Sequence, residues 1–232
     1  LDDELFENGL GTNGTGAMIF WMKNGSFTLG ETVAISVAGG TQAPILMVGF
    51  NALRSDLGIS IQGNYPVISA GANQLTLGTN WDSYNISWTG TATNVLVLGT
   101  RNKVVNNKIV NTSTSAARTA LFAGANCFVA NNEVISYRGR AVNITTTNCL
   151  IKNNYIHDSN EGIIALSSGN LVVIDGNIIA SNVTAAITTG ATAPTGLFIT
   201  GNTLYGAENK LGIGVNLITA TSSVTLVNNI IA

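Results

Sequence analysis

Aliphatic and amide positions recur together through the second half of the chain, in the runs VVNNKIV (104–110), VANNEVI (129–135), IKNNYIH (151–157), IDGNIIA (174–180), ITGNTLY (199–205) and LVNNIIA (226–232). With Asn107, Asn132, Asn154, Asn177, Asn202 and Asn229 as register zero, the successive steps are 25, 22, 23, 25 and 27 residues. Two positions after zero stand Ile109, Val134, Ile156, Ile179, Leu204 and Ile231, and three before it Val104, Val129, Ile151, Ile174, Ile199 and Leu226. Five before zero, from the second run on, come Cys127, Cys149, Val172, Leu197 and Val224. Positions minus five and minus three therefore share one face of a strand. Each run reads as strand, bend, strand, and the Asn-Asn or Gly-Asn bend uses residues that enter left-handed backbone with least strain. A third strand is predicted before each anchor, at 120–124, 141–145, 162–166, 185–189 and 212–218. A period of this length with little helical patterning predicts a solenoid. One rung cannot bury its own apolar face, but rungs stacked about 4.8 Å apart bury a continuous column. The predicted fold is all-β: a single-stranded parallel β-helix, roughly triangular, with three strands per rung and a period of 22–27 residues.

The first third of the chain follows the same chemistry less regularly. Residues 1–16 (LDDELFENGLGTNGTG) carry four of the twelve carboxylates and then turn rich in Gly, Asn and Thr, which reads as a lead-in or linker from a longer chain. Residues 17–80 hold short β-type runs (MIFWM, SFTL, TVAISV, PILMVGF, PVISA, QLTLG) broken by Gly, Asn and Pro, with an excursion over 51–63. These are taken as the initial strands, and 81–232 as the regular rungs. The chain stops at Ala232 inside a rung, as part of something longer would, and no signal peptide is visible.

Composition narrows the surface. Charged residues make up 9% of the chain, against about 25% in ordinary globular domains, so Thr, Ser, Asn and Gly must cover most of the exterior. A net charge of −2 without a basic stripe offers nothing to track phosphates, which excludes a nucleic-acid partner. No apolar run approaches the roughly 18 residues that span a bilayer, so no membrane partner is expected either.

The tandem N-x-[IV] rungs, with the upstream stretch GSFTLGETVAISVAGGTQAPILMVGFN, resemble the right-handed parallel β-helix proteins of the pectate-lyase-like superfamily, closest in character to phage tailspike and virion-surface members. The resemblance covers residues 17–232. It implies a right-handed helix, and a class that includes pectate lyases, polygalacturonases, alginate epimerases, tailspike glycosidases and proteins without chemistry; fold alone does not choose among them. Lyases of the class hold calcium on clustered Asp and Glu outside one sheet. Here only Asp158, Glu161 and Asp175 could contribute to such a site, so no metal or cofactor is expected, with calcium as the alternative for a lyase. Glycosidases need paired carboxylates flanking the sugar bond, and the candidates are Glu133, Asp158, Glu161 and Asp175, with Arg138 and Arg140 as clamps for sugar or carboxylate. The polygalacturonase pattern of paired aspartates occurs only as Asp2-Asp3, in the lead-in. The structural alternative is that Asp158 and Glu161 solvate one charged corner, answered by Arg138, Arg140 and Lys152.

His157, the single histidine, precedes Asp158 in a pairing that suggests a general base and its orienter. Its register, plus three, argues instead for an exposed or interface side chain. Tyr155 and His157 join Arg138 and Arg140 as candidate carbohydrate contacts. Cys127 and Cys149 fall in one interior column, where free thiols pack as small hydrophobes; a disulfide between them is within reach but awkward in geometry. The Asn column is expected to hydrogen-bond from rung to rung as Asn ladders do. Asn13, Asn24, Asn85, Asn111, Asn143 and Asn182 begin N-x-[ST] triplets of the kind that chance supplies in so Asn- and Thr-rich a chain. Val110, Ile135, Ala180 and Tyr205 at plus three, with Ile178 and Ile230 at plus one, form an apolar outer stripe that predicts an interface. A homo-oligomer, with a trimer favoured, or docking on other virion or surface subunits would cover it.

Two functions remain. The first is a structural or recognition module of a virion or cell-surface appendage, outside the cell and facing a polysaccharide. The second is a secreted or virion-borne glycoside hydrolase or polysaccharide lyase, whose carboxylates would have to converge in a groove beside residues 111–119 or 206–211.

Overall fold

A computed structural model of the chain describes residues 18–23, 25–34, 45–50, 66–166, 171–190, 195–206, 212–218 and 223–232. The lead-in at 1–16, the excursion at 51–63 and most of the loop at 206–211 lie outside the described residues, as do Asn13 and Asn24.

All regular structure among the described residues is β. Every strand pairs in parallel with the strand three places later in the chain, which builds three sheets of nine, nine and eight strands. The first sheet runs from Met18–Lys23 to Ser223–Val227, the second from Ser26–Thr28 to Ile230–Ile231, and the third from Val33–Ala34 to Ile213–Asn216. Each rung contributes one strand to each sheet, so the three strands per turn read from the sequence are present. The stretch 17–80, read as the entry strands of the same β-helix, contributes strands to the same three sheets. Met18–Lys23 and Ile45–Phe50 pair in the first sheet, and Ile45 continues onto Trp81, so the stacking already begins at residue 18. The sequence period is obscured there because a long insertion separates Phe50 from Val67.

The predicted columns are the core from Val104 to Ile199 and from Ile109 to Leu204, while their sixth members, Leu226 and Ile231, are exposed. Val104, Val129, Ile151, Ile174 and Ile199 stack in register in the first sheet, and Ile109, Val134, Ile156, Ile179 and Leu204 in the second. Leu96, Leu121, Val142, Ile163 and Ile187 form the third column. All of these side chains are buried, and Trp81 and Trp88 fill the same shaft one rung before Val104 and Ile109. Cys127 and Cys149 are free, buried thiols in that shaft. Burial pushes Cys127 up to about 12 and raises Cys149, so neither is a thiolate at neutral pH.

The bend between first and second strands explains the asparagines. The residue before register zero is left-handed throughout, with φ of 57° at Asn106, 56° at Asn131, 53° at Asn153, 64° at Gly176, 62° at Gly201 and 53° at Asn228. The zero asparagine then turns inward. Asn154 Oδ1 accepts from the backbone N–H and the side-chain amide of Asn132, both at 2.9 Å, while its own Nδ2 donates to Val129 O at 3.0 Å and to Asn177 Oδ1 at 2.9 Å. Asn177 repeats this with Asn202, and Asn202 with Asn229. Upstream the ladder ends where Ile86 donates its N–H to Asn107 Oδ1. The expected amide ladder is therefore a buried backbone brace along one corner of the prism.

Candidate functional site

Few charged side chains stand outside the shaft, and most pair with the residue directly opposite on the next rung. Lys108 meets Glu133 at 2.9 Å on the second sheet, Arg140 meets Glu161 at 3.2 Å on the third, and Lys152 meets Asp175 at 3.0 Å on the first. Glu133, Asp158, Glu161 and Asp175 are thus spread over three sheets and do not share a groove. Hydrogen bonds from Thr200 and Lys152 hold Asp175 below its ordinary value. Arg138 lies exposed in the turn between Glu133–Ser136 and Arg140–Ile144.

One group does converge, on the outer face of the second sheet. Glu133, Tyr155 and Ile178 are successive ladder partners, and Ile135, His157, Ala180 and Tyr205 form the neighbouring ladder. His157 Nδ1 faces Asp158 Oδ2 at 2.8 Å, and its Nε2 faces Glu133 Oε1 at 3.2 Å. Carboxylate oxygens only accept, so both ring nitrogens are best satisfied as donors, which favours the cation. The hydrogen bond to Glu133, helped by that to Asp158, raises the His157 pKa in spite of burial. The same bond, joined by Lys108, lowers that of Glu133. Asp158 reaches the ring because its backbone is left-handed, with φ of 52°, at the corner where the second strand ends.

Tyr155 lies against this ring. Its centroid is 4.1 Å from that of His157 with the planes 22° apart, a stacked arrangement. Partial burial and a hydrogen bond with Tyr205 raise the Tyr155 hydroxyl pKa. Tyr155 and Tyr205 stay exposed, at 42% and 41%. The result is a platform of two tyrosines beside a Lys108–Glu133–His157–Asp158 chain of charges.

The apolar stripe predicted from register is broken in this region. Ile178, Tyr205 and Ile230 are exposed and Val110 is half-buried, but Ile135 and Ala180 are buried at 6% and 1%. Ala180 is a single methyl covered by its larger ladder partners His157 and Tyr205, and Ile135 lies between Val110 and His157 in the same row. A different ladder, Phe128, Leu150, Val173 and Phe198, stands in register on the outside of the first sheet and is half-buried to exposed. The register places it at minus four, a column that reading the aliphatic interior alone passes over. Asn85, Asn111, Asn143 and Asn182 are buried, so the described N-x-[ST] asparagines are not presented for glycosylation.

Elsewhere, Asp82 is buried on the first sheet beside Lys103 and Tyr84. Burial raises its pKa, and burial with the neighbouring Asp82 pushes Tyr84 up to about 12. Among the described residues no three His, Cys, Asp or Glu side chains form a set able to hold a metal ion.

The family described as right handed beta helix region matches residues 93–232, more than half of the chain. The chain belongs to the right-handed β-helix family. Solved β-helix structures of the same build include a pectin methylesterase from Aspergillus niger, with a TM-score of 0.56 at 11% identity over 94% of this chain and 78% of that one. Pectate lyase Pel9A gives a TM-score of 0.54 at 14% identity, over 91% of this chain and 69% of that one. At such identities the likeness is one of β-helix fold. Among curated proteins none matches the chain.

Proposed function

We propose that this β-helix is a recognition module of an extracellular or virion surface appendage, binding a polysaccharide on the outer face of its second sheet without cleaving it. The observation that carries this reading is the imidazole of His157, with a carboxylate at each nitrogen and a tyrosine stacked on its face. Exposed tyrosines present a flat apolar body with a polar tip, suited to a sugar ring, and charged neighbours fixed by their own hydrogen bonds can orient hydroxyls. A general base needs a free lone pair on the ring, and neither nitrogen offers one in the cation. A glycosidase acid needs a carboxyl kept protonated by a raised pKa. Glu133 and Asp175 are shifted the other way, while Asp82, which is raised, stands on another sheet and is paired with Lys103. The sparse charge and continuous shaft suit a stiff, protease-resistant rod. The apolar ladder of Phe128, Leu150, Val173 and Phe198 supports assembly as a homo-oligomer, a trimer by preference.

The test is a panel of acidic and neutral polysaccharides, followed in parallel for binding and for release of reducing ends or unsaturated products. The wild-type chain is expected to retain at least one polysaccharide with no turnover, and Tyr155→Ala to weaken that binding at least tenfold, which corresponds to about 1.4 kcal/mol. Product release that Glu133→Gln or Asp158→Asn abolishes would establish the enzyme instead.

A further inference from the structure

The outer face of the first sheet has the same order read from either end. Phe128, Leu150, Val173 and Phe198 each stand between two buried neighbours in the chain, so alternation along the strands turns all four outward. They stack in register on four successive rungs, three of them half-buried and Phe198 exposed at 38%. The order is aromatic, aliphatic, aliphatic, aromatic. Two places along the same strands runs a second outward row, Ala130, Lys152, Asp175 and Thr200. Its order is uncharged, positive, negative, uncharged, with Lys152 and Asp175 paired at 3.0 Å in the middle. Both rows therefore share one midpoint, between the rungs of Leu150 and Val173.

A face of this order complements its own copy turned end for end. A two-fold axis through the midpoint, parallel to the strands, sets Leu150 against the partner's Val173 and Phe128 against the partner's Phe198. The same turn sets Lys152 against the partner's Asp175, and Asp175 against the partner's Lys152, so four charges alternate in sign at the centre. Chains running the same way and meeting by this face would keep each residue level with its own copy, lysine on lysine and aspartate on aspartate. A ring of three joins two different patches and has no use for a patch that fits itself. We propose that the first sheet is the contact face of an antiparallel homodimer of this chain. This rests on the self-association proposed above and gives it two-fold order in place of three-fold. Four rungs about 4.8 Å apart, with strands of three to five residues, cover well under the roughly 800 Å² per partner of a standard interface, so the pairing is weak and reversible.

Sedimentation equilibrium from roughly 1 to 300 µM, the range that reads a micromolar Kd, is run on the wild-type chain, Leu150→Glu, Lys152→Asp and Asp175→Lys, with a melting curve for each. Wild type is expected to be a reversible dimer with a Kd in the micromolar range. Leu150→Glu puts a carboxylate in the apolar row and should weaken pairing at least tenfold while melting within a few degrees of wild type. Lys152→Asp and Asp175→Lys each bring four like charges together, and each should also weaken pairing at least tenfold. Mixed in equal amounts, these two variants should pair with one another at least as tightly as wild type, because each supplies the charge the other lacks. If Leu150→Glu does not fold, the two charge variants carry the test alone. A trimer overturns the two-fold pairing and leaves self-association standing. So does a dimer that every variant leaves intact, since its contact lies on another face, or a mixture no tighter than its separate components. Monomers at every concentration overturn both, and none of these results touches the glycan reading.

Discussion

Asn154→Ala is expected to lower the unfolding free energy by about 3–5 kcal/mol, several orphaned groups at about 1–3 kcal/mol each. The side chain makes four buried hydrogen bonds, to Asn132 N, Asn132 Nδ2, Val129 O and Asn177 Oδ1. Truncation leaves Asn132 N–H and Val129 O inside the corner without these partners, in a space too dry to supply others. Rungs touch only their neighbours, so the loss falls on the joint between two halves of the solenoid, where unfolding should begin. Urea denaturation followed by circular dichroism measures the total, and hydrogen exchange localises it. Thr184→Ala is the control, since its hydroxyl donates to Asn160 at an exposed corner at 2.9 Å and should cost well under 1 kcal/mol. Equal effects of the two substitutions would remove the ladder from the list of structural causes.

Gly124→Ala is the second large effect, and it comes from space. A Cβ built on Gly124 would lie 2.1 Å from Gly99 O and 2.4 Å from Leu98 O, both backbone atoms of the rung above. Neither can rotate away as a side-chain tip would. The rungs must part at this corner, which loosens the Cys149 Sγ hydrogen bond to Gly124 O at 3.1 Å and the pairing on either side. Overpacking of this kind costs about 1–3 kcal/mol when side chains can yield, and more when the obstacle is backbone. A loss of about 3 kcal/mol or more is expected in the same denaturation experiment, with Gly30→Ala as the neutral comparison because a Cβ there meets nothing within 4 Å. If Gly124→Ala unfolds at the wild-type urea concentration, the close approach of the rungs at this corner is not a constraint on the chain.

What could be read in advance divides along the surface of the prism. Interior columns were legible because each demands the same thing of every rung: Ile109, Val134, Ile156, Ile179 and Leu204 all face the shaft, so the demand repeats and the period shows. The bend was legible for the same reason. Outer positions answer to whatever stands on the rungs beside them. Ala180 is buried by His157 and Tyr205, and no property of alanine announces it. His157 reaches Glu133 diagonally, one rung back and two places along, a contact that the register permits but that a column-by-column reading does not join. Glu161 and Asp175 belong to other sheets because the corners between strands turn the chain away within a few residues of Asp158.

The chemistry of the molecule comes down to one imidazole. Held as a cation between Glu133 and Asp158, it is a fixed part of a binding surface; neutral with a free nitrogen, it would be a base waiting for a proton. Because His157 is the only histidine in the chain, a nitrogen-15 NMR titration reads its state without ambiguity. The bonds to the two carboxylates predict both ring nitrogens protonated at pH 6.5, with a midpoint above the roughly 6.5 of a free histidine. Glu133→Gln should bring that midpoint down, since the first cause of the shift is removed. A midpoint below the free value, with one nitrogen unprotonated and unchanged in Glu133→Gln, would contradict the binding role and return His157 to catalysis.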